Sequence, residues 1–132
     1  MYRVVLGIDR DENRAMAQAE MVANLPNAAE EVEAILLHDF TENPTGASVT
    51  QVASVRHANE YLEERGIKTE FRESSGDPAK EIIELAEEVD ADAICVAGRK
   101  RTPAGKVLFG SVTQAVILNT DIPVIVCSAK EE

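Results

Sequence analysis

The sequence predicts a single α/β domain, a five-stranded parallel sheet with helices on both faces, and three observations predict it. Strand-like and helix-like segments alternate along all 132 residues, the pattern of a parallel sheet joined by helical crossovers. The strand-like runs are apolar almost throughout instead of alternating, as strands covered on both faces are. Hydrophobic residues make up 45% of the chain, with three Phe, two Tyr and no Trp, so the core must be filled by Val, Ile, Leu and Ala. A chain of this length is the size of one domain. Right-handed crossovers leave few strand orders. In the order 3-2-1-4-5, the crevice between the ends of strands one and four is the switch point where such folds take their ligands.

The elements follow in order. Residues 3–9 form the first strand, with Asp9 at its end, and a polar turn through Arg10 and Asp11 leads to a helix over 13–25 that stops at Pro26-Asn27. The second strand spans 33–38, and Asn43-Pro44-Thr45-Gly46 marks a loop. Val52, Val55, Asn59 and Leu62 share one helical face, and Gly66 stands where a C-terminal cap belongs. Residues 67–73 alternate and are less apolar, which suits a strand at the sheet's edge. Asp77-Pro78 reads as a helix start, Asp capping the free amides and Pro fitting the first turn. Ile82, Leu85, Ala86 and Val89 form that helix's buried stripe. The fourth strand is 93–97, Gly110-Ser111 opens a helix carrying Val112, Ala115 and Val116, and the fifth strand is 122–127. The count is five strands and four helices.

Charge narrows the function. Thirteen basic against 24 acidic residues leave a net charge of −11, a surface that repels nucleic acid and anionic membranes. The acid excess serves either plain solubility or a salt-loving host, such as a halophilic archaeon. No apolar run approaches the roughly 20 residues that span a bilayer, and the N-terminus lacks the pattern of a secretory signal, so a cytoplasmic protein is expected. Cys95 and Cys127 lie in short β-branched runs and read as buried inert thiols. His38 and His57 have no Cys or His at ligand spacing, and a metal centre is not expected.

The chemistry concentrates in the loop 98–110. It brings glycines, Arg99, Lys100, Arg101 and Lys106, and a helix N-terminus together in an otherwise acidic protein. An anion site needs those three things: free backbone amides, the positive end of a helix dipole and nearby cations. Gly105-Lys106 is not a Walker A loop, because the glycine further upstream is missing and Val107 replaces the hydroxyl that would hold magnesium. The plain alternative is a solvated loop whose cations balance local carboxylates, with Gly110-Ser111 merely capping a helix. A phosphorylated receiver domain would want an aspartate ending strand three, where this chain has Ser74-Ser75.

With its opening Val4-Val5-Leu6-Gly7-Ile8-Asp9, Leu36-Leu37-His38, Gly76-Asp77-Pro78-Ala79, the close Gly110-Ser111-Val112-Thr113 of the long loop, and the final Asp121-Ile122-Pro123-Val124-Ile125-Val126, the whole chain resembles the universal stress protein family. The resemblance implies a three-layer Rossmann-like fold of the adenine nucleotide alpha hydrolase type. It also implies a glycine loop holding ribose and phosphates and an aspartate after strand one contacting adenine. Carried over, the nucleotide-binding residues are Asp9, Ala97, Gly98, Arg99, Lys100, Gly110, Ser111, Val112 and Thr113. At the family's spacing of Gly, two residues, Gly, nine residues, Gly-Ser, the first two glycines fall on Ala97 and Lys100. Asp39 stands where an apolar residue commonly lines the adenine pocket.

The resulting expectation is a non-catalytic stress-response dimer that binds an adenine nucleotide, ATP or AMP with magnesium, or another phosphate ligand, at this crevice. Its alternatives are a ligand-free dimeric interaction module of the same family, and a weak ATPase in which Asp11 or Glu12 holds magnesium. The dimer has a physical motive. Ile122, Val124, Ile125, Val126 and Cys127 form a bare apolar edge strand that invites pairing, limited at one point by Pro123.

Overall fold

The computed structural model describes residues 1–40, 48–98 and 109–128; the predicted loop at 43–46 and residues Arg99 and Lys100 lie outside them. Five strands, β1 (Tyr2–Gly7), β2 (Val32–Asp39), β3 (Lys68–Ser74), β4 (Ala93–Gly98) and β5 (Val124–Ser128), form one sheet in the order β3-β2-β1-β4-β5. Every neighbouring pair is parallel, as the sequence predicts.

Alternate residues of the central strands feed two cores. Val4, Leu6, Ala34 and Leu36 pack with Ala15, Ala19 and Val22 of α1 (Glu12–Ala23) and Val55, Ala58 and Leu62 of α3 (Ala53–Glu64). Val5, Ile35, Leu37, Ile94 and Val96 face the other way. They meet Ala79, Ile82 and Leu85 of α4 (Pro78–Glu88) and Val116 of α5 (Ser111–Asn119). The period-2 alternation of a strand thus sorts one apolar run into two layers.

Several boundaries differ from the expectation. The first strand ends at Gly7, so Asp9 lies just beyond it, and the last begins at Val124, leaving Ile122 and Pro123 before it. A short helix α2 (Ala28–Glu31) and a 3-10 turn (Val49–Gln51) stand where no helix is expected, making five α-helices among the described residues. Asn27 starts α2 with φ 54°, a left-handed conformation that asparagine tolerates. Asp77 occupies the N-cap of α4, but its side chain makes no capping hydrogen bond. Pro78 has already removed one of the amides in need of a partner.

Gly66 behaves as predicted. It has φ +74°, its N–H donates to the Glu63 carbonyl at 2.9 Å, and Ile67 N–H reaches back to Leu62 at 3.1 Å. That bond pair is the Schellman arrangement at a helix C-terminus.

The sheet's two edges differ in character. On β3, Lys68 pairs with Glu33, and Arg72 with Glu70 and Glu88. On β5, four of the five residues are apolar or sulfur-bearing.

Candidate functional site

At the C-terminal ends of the strands, β1 and β4 diverge. Their last paired residues are Leu6 and Cys95. Gln18 of α1, fully buried, closes the gap: its side-chain amide donates to the Gly7 carbonyl at 3.0 Å and to the Cys95 carbonyl at 3.1 Å. Nothing in the local sequence singles out Gln18, because its task exists only once the two strands separate above it.

Above this floor opens a cavity of about 550 Å³, lined by Gly7 to Arg10 at and just beyond the end of β1, by Leu37 to Phe40 at and just beyond the end of β2, from α4 by Pro78 and Ile82, from β4 by Val96 and Ala97, and from α5 by Val112 and Thr113. Its place is the predicted switch point. Its size falls within the range of about 300–1,000 Å³ typical of small-molecule sites. Gly7 matters to its shape. A Cβ there would lie 2.5 Å from Ile82 Cδ1 and 3.1 Å from Cγ1, so glycine lets the first turns of α4 settle against β1.

The polar groups around the cavity are held in place. Asp9 accepts from the Asp11 N–H at 2.9 Å and forms an ion pair with Arg14 Nε at 2.9 Å. Asp11 in turn caps α1 through the Arg14 N–H. The Ser54 hydroxyl donates to the Asp9 carbonyl at 2.5 Å, tying the start of α3 to this turn. His38, buried, donates from Nδ1 to the Ile8 carbonyl at 2.6 Å. The acceptor is a carbonyl, so Nδ1 carries the hydrogen. The His38 ring meets Phe40 edge to face, 4.7 Å between centroids, and the Arg10 guanidinium lies 6.0 Å from the Phe40 ring centre. Ser74 Oγ donates to Asp39 Oδ2 at 2.7 Å, a polar wall where the family resemblance implies an apolar one.

At the far side, Thr113 Oγ1 donates to the Ala97 carbonyl at 2.9 Å. The first bond within α5 runs from Gln114 N–H to Gly110, so the amides of Ser111, Val112 and Thr113 have no partner inside the helix. They lie at the positive end of its dipole. Ala97 sits in regular β4 and does not have positive φ; alanine therefore replaces glycine there without backbone strain.

Asp9, Ala97, Val112 and Thr113 thus line one cavity, with Gly98 ending β4 beside it and Gly110 and Ser111 opening α5. Phe40, Pro78 and Ile82 complete the wall without having been marked as site residues by the sequence. The Asp77-Pro78 helix start was the available signal for the latter two.

Fold and crevice define a doubly wound α/β domain whose open site lies at the ends of its first and fourth strands. A sequence model described as the universal stress protein family matches residues 1–128, and the chain belongs to that family. One universal stress protein of Methanocaldococcus jannaschii is 36% identical over 73 residues, 55% of this chain and 43% of its own length. A second from the same organism is 30% identical over 109 residues, 83% of this chain and 63% of its own length. The matched segments therefore span less than two thirds of these curated relatives. Among solved structures, a universal stress protein from Archaeoglobus fulgidus superposes with a TM-score of 0.74 at 28% identity, covering 96% of this chain and 98% of its own. Another universal stress protein, solved in complex with cAMP, gives 0.71 at 26% identity, with 98% of each chain covered.

Proposed function

We propose that this chain is a non-catalytic, cytoplasmic stress-response protein that binds an adenine nucleotide in the cavity between the ends of β1 and β4. The observation that carries the reading is the cavity itself, with Asp9 on one side and, on the other, the α5 amides that have no partner within the helix. A base would lie between the β1 and β2 ends, near Asp9, Asp39 and Phe40, and phosphate at the Ser111–Thr113 amides, where the helix dipole favours anions. The likeness to a relative solved with cAMP supports the same assignment. Thermal-shift titration with AMP, ADP, ATP and cAMP, with and without magnesium, tests it. Stabilisation rising with ligand concentration is expected, and a flat response to all four nucleotides would refute it.

The same reading includes a homodimer built on β5. Val124, Ile125 and Val126 are only partly buried on an open edge, and Leu118 of the adjoining α5 is 79% exposed, an apolar surface that a second copy would cover. Sedimentation of the native chain should show a dimer.

A further inference from the structure

The nucleotide reading gives Cys95 and Cys127 no task, yet the fold brings them together. Cys95 lies opposite Ile125 and Cys127 opposite Ala97 in the parallel β4–β5 ladder, which puts both side chains on one face of the sheet. Their sulfurs are 3.5 Å apart, and both are free thiols. The pair is asymmetric. Cys95 sits wholly buried on an inner strand, whereas Cys127 sits on the edge strand and keeps a little exposure.

The bond from the Cys95 thiol holds Cys127 below the ordinary thiol value, against the opposing effect of burial. The same bond, together with burial, pushes Cys95 well above it. The Gln18 amide works the other way on Cys95, as a donor that stabilises negative charge on its sulfur.

We propose that Cys95 and Cys127 form a peroxide-responsive dithiol, closing to an intramolecular disulfide between β4 and β5. The Cys127 thiolate attacks one oxygen of hydrogen peroxide. The O–O bond breaks, the leaving hydroxide takes a proton to become water, and Cys127 becomes a sulfenic acid, oxidised by two electrons. The Cys95 sulfur then attacks the Cys127 sulfur. The S–S bond forms, the S–OH bond breaks, and the departing hydroxide leaves as a second water with the Cys95 proton.

Closure shortens the sulfur separation from 3.5 Å to about 2.0 Å. Within the chain, the edge strand β5 has a neighbour on one side only and gives more readily than the inner strand β4. The pull reaches the crevice, because Cys127 is paired with Ala97, whose carbonyl receives the Thr113 hydroxyl.

The test uses the full chain, reduced, freed of reductant, treated with a small excess of hydrogen peroxide, then denatured in an alkylating agent and weighed. A chain lighter by two hydrogens, with neither thiol alkylated, both recovered by dithiothreitol, and a linked Cys95–Cys127 peptide after digestion is the expected result. Cys127→Ser should slow thiol consumption by about tenfold or more. Cys95→Ser should leave a sulfenic acid on Cys127 that a dimedone probe traps. Two alkylated thiols under conditions that oxidise the denatured chain would overturn the proposal. So would disulfides only between chains, or a sulfinic acid on Cys127 beside an untouched Cys95. The wild-type peptide map decides the matter even if a serine variant fails to fold.

Discussion

Replacing Gln18 tests whether one buried amide holds the crevice floor. In Gln18→Leu, the Gly7 and Cys95 carbonyls lose the two hydrogen bonds at 3.0 and 3.1 Å. Each buried acceptor left without its donor costs about 1–3 kcal/mol, while the added apolar burial of leucine returns about 1 kcal/mol. The net loss is about 1–5 kcal/mol, set against the roughly 5–15 kcal/mol that holds a domain together. Urea unfolding followed by circular dichroism measures it directly, as a lower midpoint at unchanged slope. Gln18→Glu separates hydrogen bonding from packing, since its volume is nearly the same. At neutral pH it either ionises against two carbonyls or offers one hydrogen to both, and a loss of at least about 1 kcal/mol is expected. If both variants unfold within about 0.5 kcal/mol of the native chain, the clamp contributes nothing and the reasoning fails.

Gly7→Val should destabilise by about 1–3 kcal/mol through overpacking against Ile82, and Ile82→Ala in the same chain should restore part of that loss in the same unfolding assay. Asp9→Ala breaks an ion pair whose carboxylate is half exposed, so stability should fall by less than about 1 kcal/mol while nucleotide affinity, read by calorimetry, falls about tenfold or more. Ile94 N–H donates to the Pro123 carbonyl, so the backbone groups of Val124 and Val126 turn to the open edge. Val126→Pro should therefore leave the fold intact by circular dichroism and convert the proposed dimer to a monomer in sedimentation. For the thiols the signs are opposite. The depressed Cys127 adds stability that is present above its unfolded value and lost as pH falls through its folded one, and the raised Cys95 adds stability that is lost as pH rises through its folded one. Mild alkylation of the folded chain should accordingly modify Cys127 before Cys95, by peptide mapping.

Strand order, both helical layers and the position of the crevice were legible because they rest on periodicity and handedness, which are local properties of the chain. Asp9 and Gly98 could be placed at one site for the same reason, whereas Val112 and Thr113 entered only through the family resemblance. Gln18 could not, since an amide on a helix's buried face gains meaning only from two carbonyls that diverge far away in sequence. The pairing of Cys95 with Cys127 needed the β4–β5 register, and a shift of one residue would have put the two thiols on opposite faces. Asp77 shows the reverse error: the residue type and position suit a cap, but its carboxylate makes no hydrogen bond to the helix amides. The short helix α2 escaped notice because four residues carry no measurable period.

The contrast between the sheet's two edges limits how large an assembly this fold can build. The outer residues of β3 hold charges engaged in ion pairs, and an incoming strand would have to desolvate them. Among the described residues, the β5 edge is the more apolar of the two. Growth by edge addition needs two receptive ends on every subunit, and this one has a single end, so a second copy docking on β5 uses up the valence of both. Such a pair is self-terminating. The proposed dimer would thus satisfy the apolar edge without leaving a second one for edge-on growth.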